Sequence, residues 1–133
     1  MAEFSASITP FEAKLTHLEL IEATIDEIES GILMLNVLET ETLRGLHDRL
    51  NQELTTRFGE VPAAFDGPDY HFHMTVAIGG VPVETYRKIE NEFSDRLVNL
   101  QYMVQELVMF VYDEREEVNA GYMTYMVLPL GKY

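Results

Sequence analysis

His73 and Thr75 are the pair of side chains best suited to chemistry in this chain. They sit two apart in Tyr70-His-Phe-His-Met-Thr-Val-Ala-Ile78, an apolar run that carries the polar groups at alternate positions. In a strand, side chains alternate between faces. Tyr70, Phe72, Met74 and Val76 then point to one side, and His71, His73, Thr75 and Ala77 to the other. Two positions along a strand span roughly 6–7 Å. At that distance an imidazole reaches an attacking or leaving ester oxygen while the hydroxyl holds a non-bridging oxygen of the same phosphate. Histidine suits proton transfer because its ordinary pKa lies near neutral pH. Threonine is stiff at its β-branched carbon, so its hydroxyl is well placed. His73 and Thr75 are thus the catalytic candidates. His71 shares their face and is assigned to substrate binding. It is not paired with His73 as acid and base, because neighbours on one face do not sit on opposite sides of a phosphorus, as in-line displacement requires.

Two other readings of the same row stay open. The polar residues are the wet side of a half-exposed sheet, with no chemistry attached. Alternatively, His71 and His73 give two imidazole ligands to zinc, with a third from Asp69, His17 or an acidic loop, none of which stands at a diagnostic spacing. His47 and His17 read as packing and strand-face residues. Tyr122 and Tyr125 offer either a base-stacking surface or ordinary hairpin packing, and are carried as substrate-binding candidates. The acidic stretch Asp113 to Glu117 lacks the spaced ligands and central glycine of a calcium loop and reads as a solvated turn. No Gly-rich phosphate loop is present.

The elements that must hold these residues follow from periodicity. Gly31 to Glu39 is a short apolar run and reads as a buried strand. Leu43, Leu46, Leu50 and Leu54 recur at helical steps from Thr40, and Phe58-Gly59 closes that helix. Gly59 to Tyr70 is a loop rich in Gly, Pro and Asp. After the strand Tyr70–Ile78, Pro82 opens a second helix whose apolar face is Tyr86, Ile89, Phe93, Leu97 and Leu100. Tyr102–Asp113 and Tyr122–Leu130 read as strands of a hairpin. Before residue 30 the pattern is divided: Leu15, Leu18, Ile21, Ile25 and Ile28 fit a helix, whereas Phe11, Ala13, Leu15 and His17 fit alternation. The whole suggests one α+β domain, with two main helices on one face of a largely antiparallel sheet.

The chain has 133 residues, the size of a single domain, and no cysteine, which excludes disulfides and thiolate metal sites. No basic, apolar leader and no membrane-length apolar run occur, so a cytoplasmic protein that avoids membranes is expected. The net charge is −14, from 9 basic and 23 acidic residues. Such a chain lacks the basic footprint of extended nucleic-acid binding. Its expected partner is a small nucleotide or an RNA terminus in a local pocket.

At His73-Met-Thr75-Val76 the sequence resembles the second signature of the 2H phosphoesterase superfamily, the group of 2'-5' RNA ligases and cyclic nucleotide phosphodiesterases. "FEAKLTHLEL", "GILMLNV", "LRGLHDRLNQEL" and "LVMFVYDE…GYMTYMVLPLG" are similar to the family's flanking strands, helix and final hairpin, over about Phe11 to Gly131. The resemblance makes Phe11 onward a strand. It implies two similar α+β lobes around a cleft, each giving one His-x-Thr/Ser motif, with one histidine as base, the other as acid, and no cofactor or metal. A cyclic 2',3'-phosphate is then opened, or a 2'-5' linkage made or broken. Here only one His-x-Thr occurs, and Phe72 stands where a proline is common. The N-terminal strand and first motif are therefore expected to be missing. The exposed sheet edge this would leave predicts a homodimer or a rearranged N-terminus. The competing functional reading is a catalytically silent binding or interaction module.

Overall fold

A fifteen-residue strand, β1 (Phe11–Ile25), turns back on β2 (Ile28–Val37) through Asp26 and Glu27, both with positive φ (51° and 64°). Two consecutive left-handed residues are what a tight two-residue hairpin needs, because that turn matches the twist of the strands it joins. In the computed structural model, residues 1–60, 66–96, 98–112 and 123–131 are described. Their order is α1 (Ala2–Ala6), β1, β2, α2 (Glu41–Phe58), β3 (His73–Ile78), α3 (Val83–Phe93), β4 (Leu100–Val104), β5 (Glu106–Tyr112) and β6 (Met123–Pro129). The strands form a four-stranded sheet in the order β3-β2-β1-β4 and a two-stranded sheet β5-β6. The fold is α+β, with β1–β2, β2–β3 and β5–β6 all antiparallel. Among the described residues no helix is long and apolar enough to cross a membrane.

The chain forms two compact units. The larger, Ala13–Tyr102, holds most of the four-stranded sheet with α2 and α3. Ala13, Leu15, Leu33, Leu35 and Val37 are buried on one face, and Leu46, Val83 and Tyr86 are the buried residues of the helices. Burying a leucine or valine of this set contributes about 1.5–3 kcal/mol. α2 begins where the sequence predicts: the Thr40 hydroxyl accepts from the Leu43 amide at 3.2 Å, satisfying one of the helix's orphan donors. α3 is tied to β1 by Arg87, which grips Glu22 through two 2.7 Å bonds and also bonds Glu84. The Arg87 hydrogen bond holds the Glu22 carboxyl below its ordinary value. Glu90 accepts from the Leu20 amide at 3.0 Å, giving a partner to a backbone donor on the sheet.

The smaller unit comprises Met1–Glu12 and Met103–Tyr133. Here α1 packs on β6, and Phe4, Ile8, Leu128 and Leu130 are buried. The Ser5 carbonyl accepts from the Gly131 amide at 3.4 Å. Gly131 has φ +66°, and a Cβ there would lie 2.6 Å from Pro10, so glycine is required twice over.

Three expectations need correction. The second helix stops at Phe93 rather than running on to Leu100, which opens β4. Arg96 closes a turn onto the Phe93 carbonyl, and the Val98 amide is taken by Thr16 of β1 at 2.7 Å, so the sheet claims the backbone that the apolar spacing assigns to a helix. The single strand expected from Tyr102 to Asp113 is two strands, divided at Gln105, whose carbonyl accepts from Leu130. The loop after Tyr112 and Asp113 itself lie outside the described residues. Finally, the extended segment begins as β3 only at His73, since Gly67 to Tyr70 forms a turn closed by a 3.0 Å bond from the Tyr70 amide to the Gly67 carbonyl.

Candidate functional site

Two irregularities of register decide which residues share a face. In β1 the pairing steps from Leu15↔Val37 to Leu18↔Leu35, so three residues of β1 oppose two of β2. This bulge reverses the alternation. Beyond it, Leu18 and Leu20 lie on the helix-covered face, while Glu19 (opposite Met34) and Ile21 (opposite Ile32) turn to the other. In β3 a second shift separates Thr75↔Met34 from Ala77↔Leu33. His73 and Thr75 therefore share a face as the sequence predicts, but Ala77 does not join them. Val76 is the extra residue, and Ile78, opposite Ile32, takes the place expected for Ala77.

The face so defined carries an open cavity of about 620 Å³, within the ordinary range for a small-molecule site. Ile21, Ile32, Met34 and Ile78 give it an apolar floor. The segment Asp66 to Tyr70 forms a wall, and His71, His73 and Thr75 bring imidazoles and a hydroxyl. All lie in the larger unit. No Lys or Arg is among these lining residues, whereas Asp66 and Asp69 are.

His73 has a defined tautomer. Its Nδ1 lies 2.8 Å from the His71 carbonyl oxygen, which can only accept, so Nδ1 carries the proton and donates. In the neutral ring Nε2 is then left with its lone pair, the form a general base needs. His71 is held differently. Its Nε2 donates to Glu19 Oε2 at 3.0 Å, and the Asn36 amide nitrogen lies 3.1 Å from the same atom. Asn36 is fixed in turn by the Thr16 hydroxyl, which donates to its Oδ1 at 3.1 Å. The His71 and His73 rings are nearly parallel, 15° apart in plane, with centroids 6.3 Å apart. Thr75 is exposed, opposite Met34, whose side chain is 2% exposed and closes the floor beneath it.

The wall is held from α2. Arg44 donates to both Glu39 carboxylate oxygens (2.9 and 2.7 Å), to the Tyr70 carbonyl (2.8 Å) and to the Gly67 carbonyl (3.3 Å). Its guanidinium lies 4.6 Å from the centre of the buried Phe72 ring. The hydrogen bond from Arg44 keeps the Glu39 carboxyl below its ordinary value. His47 stacks on Tyr70 at 4.6 Å and donates from Nε2 to Asp66 at 3.0 Å. Sequence reasoning places His47 beside the apolar stripe, which is where it packs, but it misses Arg44, Glu39 and Glu19. Nothing in local spacing links Glu19 to His71, 52 positions away.

Of the other candidates, His17 is exposed on β1, its Nδ1 3.1 Å from the Thr16 hydroxyl. Tyr125 belongs to the smaller unit, exposed on β6 opposite Phe110 with ring centroids 6.4 Å apart. Tyr122 lies outside the described residues. Among the described residues, no three His, Cys, Asp or Glu side chains are grouped as a metal site.

A family model of the 2'-5' RNA ligase superfamily matches residues 1–116. The chain belongs to that superfamily. The match takes in β1 to β5 and every residue lining the cavity, and the α+β sheet agrees with a 2H phosphoesterase-like fold. No curated protein and no solved structure matches the chain.

Proposed function

We propose that this superfamily member acts on a small phosphodiester, opening a 2',3'-cyclic phosphate or working on a 2'-5' linkage, by imidazole acid–base chemistry. His73 is the base and Thr75 holds a non-bridging phosphate oxygen. The observation that carries the reading is the His73 tautomer: the donated Nδ1 proton leaves Nε2 as the nitrogen able to take a proton, on the cavity face that Thr75 shares. The lining supports a small substrate. An apolar floor suits a base or sugar, and carboxylates with no lining Lys or Arg disfavour a long polyanion. A nucleotide or an RNA terminus is the substrate class. The protein that carries it is read as a hydrolase-type cytoplasmic enzyme, and the outer edge of β3, at the end of the sheet, is where a homodimer would form.

The test is opening of a 2',3'-cyclic nucleotide by the wild-type chain and by His73→Ala. A loss of about 10²–10⁴-fold is expected for removal of one positioned acid–base group. Equal rates would remove the enzymatic reading in favour of a binding module.

A further inference from the structure

Most polar groups of the cavity wall are already committed. The Gly67 carbonyl accepts from the Tyr70 amide and from Arg44, and the Tyr70 carbonyl accepts from Arg44. Asp66 Oδ1 accepts from His47, and His71 Nε2 is held by Glu19. The lining side chains then offer a ligand His73 Nε2, the Thr75 hydroxyl, the second oxygen of Asp66 and the whole carboxylate of Asp69. Among the described residues none donates a hydrogen bond to Asp69.

The backbone beneath Asp69 is fixed. It is the third residue of the turn Gly67-Pro-Asp-Tyr70, closed by the 3.0 Å bond from the Tyr70 amide to the Gly67 carbonyl. Pro68 stands at the second position, where its locked φ suits such a turn. Arg44 pins the carbonyls at both ends of the turn, and its other hydrogen bonds go to Glu39 rather than to Asp69.

An ionised carboxylate accepts hydrogen bonds and cannot donate. It also repels a phosphate, so Asp69 does not serve the group that His73 and Thr75 attend. In a 2',3'-cyclic nucleotide the ribose 2' and 3' oxygens are esterified, which leaves the 5'-hydroxyl and the base as the sources of donors. Guanine alone among the four bases sets two donor groups side by side, N1–H and N2–H₂, facing the two oxygens of one carboxylate. Adenine and cytosine set an amino donor beside an acceptor. Uracil flanks its one N–H with two carbonyls, which a carboxylate repels. The flat body of a purine suits the floor of Ile21, Ile32, Met34 and Ile78.

We propose that this cavity selects guanine and that Asp69 is the specificity-determining residue, its two oxygens accepting from N1–H and N2–H₂ of the base. The inference rests on the reading of the cavity as a nucleotide site and names the nucleotide. It also demands an exchange of preference on substitution. An asparagine side chain presents one acceptor and one donor, the complement of the N6–H₂ and N1 edge of adenine. Asp69→Asn therefore moves the preference towards adenine instead of abolishing binding.

The experiment titrates the full chain calorimetrically with the 3'-monophosphates of guanosine, inosine, adenosine and uridine, ring-opened ligands that hold no cyclic ester to turn over. The kcat/KM values for the matching 2',3'-cyclic phosphates are measured alongside. Wild type should prefer the guanosine compound by about 5- to 100-fold over those of adenosine and uridine. Inosine should fall between, since it keeps N1–H and lacks the amino group. Asp69→Asn should lose most of that preference and bind the adenosine compound more tightly than wild type does. Asp69→Ala should lose the guanosine preference without the adenosine gain. Both variants should keep the urea midpoint of wild type, because Asp69 is exposed. A wild-type chain indifferent to the base would overturn the inference. So would an equal loss on all four ligands in Asp69→Ala, which would put the carboxylate on a sugar hydroxyl. Either result leaves His73 as base untouched. Guanine-selective binding without turnover of any cyclic phosphate would keep Asp69 and remove the enzymatic reading. A chain that neither binds nor turns over any of the four would overturn both.

Discussion

The two faces of β2 show how one strand serves opposite ends. Leu33, Leu35 and Val37 point to the helices and are buried, forming the stable side of the sheet. Ile32, Met34 and Asn36 alternate with them and back the cavity, where Asn36 lies beside His71 and Met34 beneath Thr75. On the first face apolar contact is the whole story. On the second, apolar residues are a floor for titratable groups supplied by β1 and β3. The two neighbours deliver those groups differently: β1 needs its bulge to present Glu19, whereas β3 presents His73 and Thr75 by simple alternation and its own shift only exchanges Ala77 for Ile78. Chemistry is set on the irregular strands and stability on the regular one.

The contrast makes separable predictions. The largest effect should come from His73→Ala, the loss of about 10²–10⁴-fold in turnover already given, with the urea midpoint of unfolding nearly unchanged because the residue is exposed. Leu35→Ala should do the reverse in kind. A buried Leu→Ala change costs about 2–5 kcal/mol, read as a lower urea midpoint, while His73 keeps its hydrogen bond. If Leu35→Ala instead altered turnover at temperatures where the protein is fully folded, the two faces would not be independent.

Arg44→Lys lies between the extremes. Lysine keeps the charge but cannot reproduce the fork onto Glu39 together with the bonds to the Tyr70 and Gly67 carbonyls. The cavity wall should loosen, and KM should rise several-fold while kcat changes less. Steady-state kinetics on the cyclic nucleotide would show the split, and a fall in kcat alone would move Arg44 out of the wall and into the chemistry. Thr40→Ala, removing the α2 cap, should cost about 1 kcal/mol of stability and leave kinetics alone.

The smallest effect is electrostatic. Glu22 and Glu39 have folded pKa values depressed by their hydrogen bonds to Arg87 and Arg44. Their contribution is fully present above the ordinary value of 4.5 and is lost as pH falls through the lower folded values. Both carboxylates are exposed, so the loss should be slight. Urea midpoints measured downward from pH 6 should fall below about pH 4, and Glu22→Gln should flatten part of that fall.

What the sequence showed in advance depended on how local each feature is. The α2 helix was legible because its start at Thr40 and its stripe of leucines are contained in the segment itself. The hairpin β5–β6 and the shared face of His73 and Thr75 were legible for the same reason. The first thirty residues were ambiguous for a reason now visible. The step of three from Leu15 to Leu18 is the β1 bulge, and a strand that changes phase imitates the spacing of a helix turn. The apolar spacing through Leu97 and Leu100 misled in the opposite direction, since tertiary pairing of Val98 with Thr16 overrides it. Long-range partners such as Glu19 with His71, or Arg44 with the Tyr70 carbonyl, leave no trace in sequence spacing, because the fold alone brings them together.

The central claim is that His73 offers an unprotonated Nε2 to the cavity while its Nδ1 proton is held by the His71 carbonyl. Long-range proton–nitrogen correlation NMR of the imidazole rings, recorded with the ring neutral, reads this directly. The account predicts a neutral His73 in the Nδ1-protonated form. A ring protonated on Nε2, or an unbiased mixture of the two forms, would contradict it.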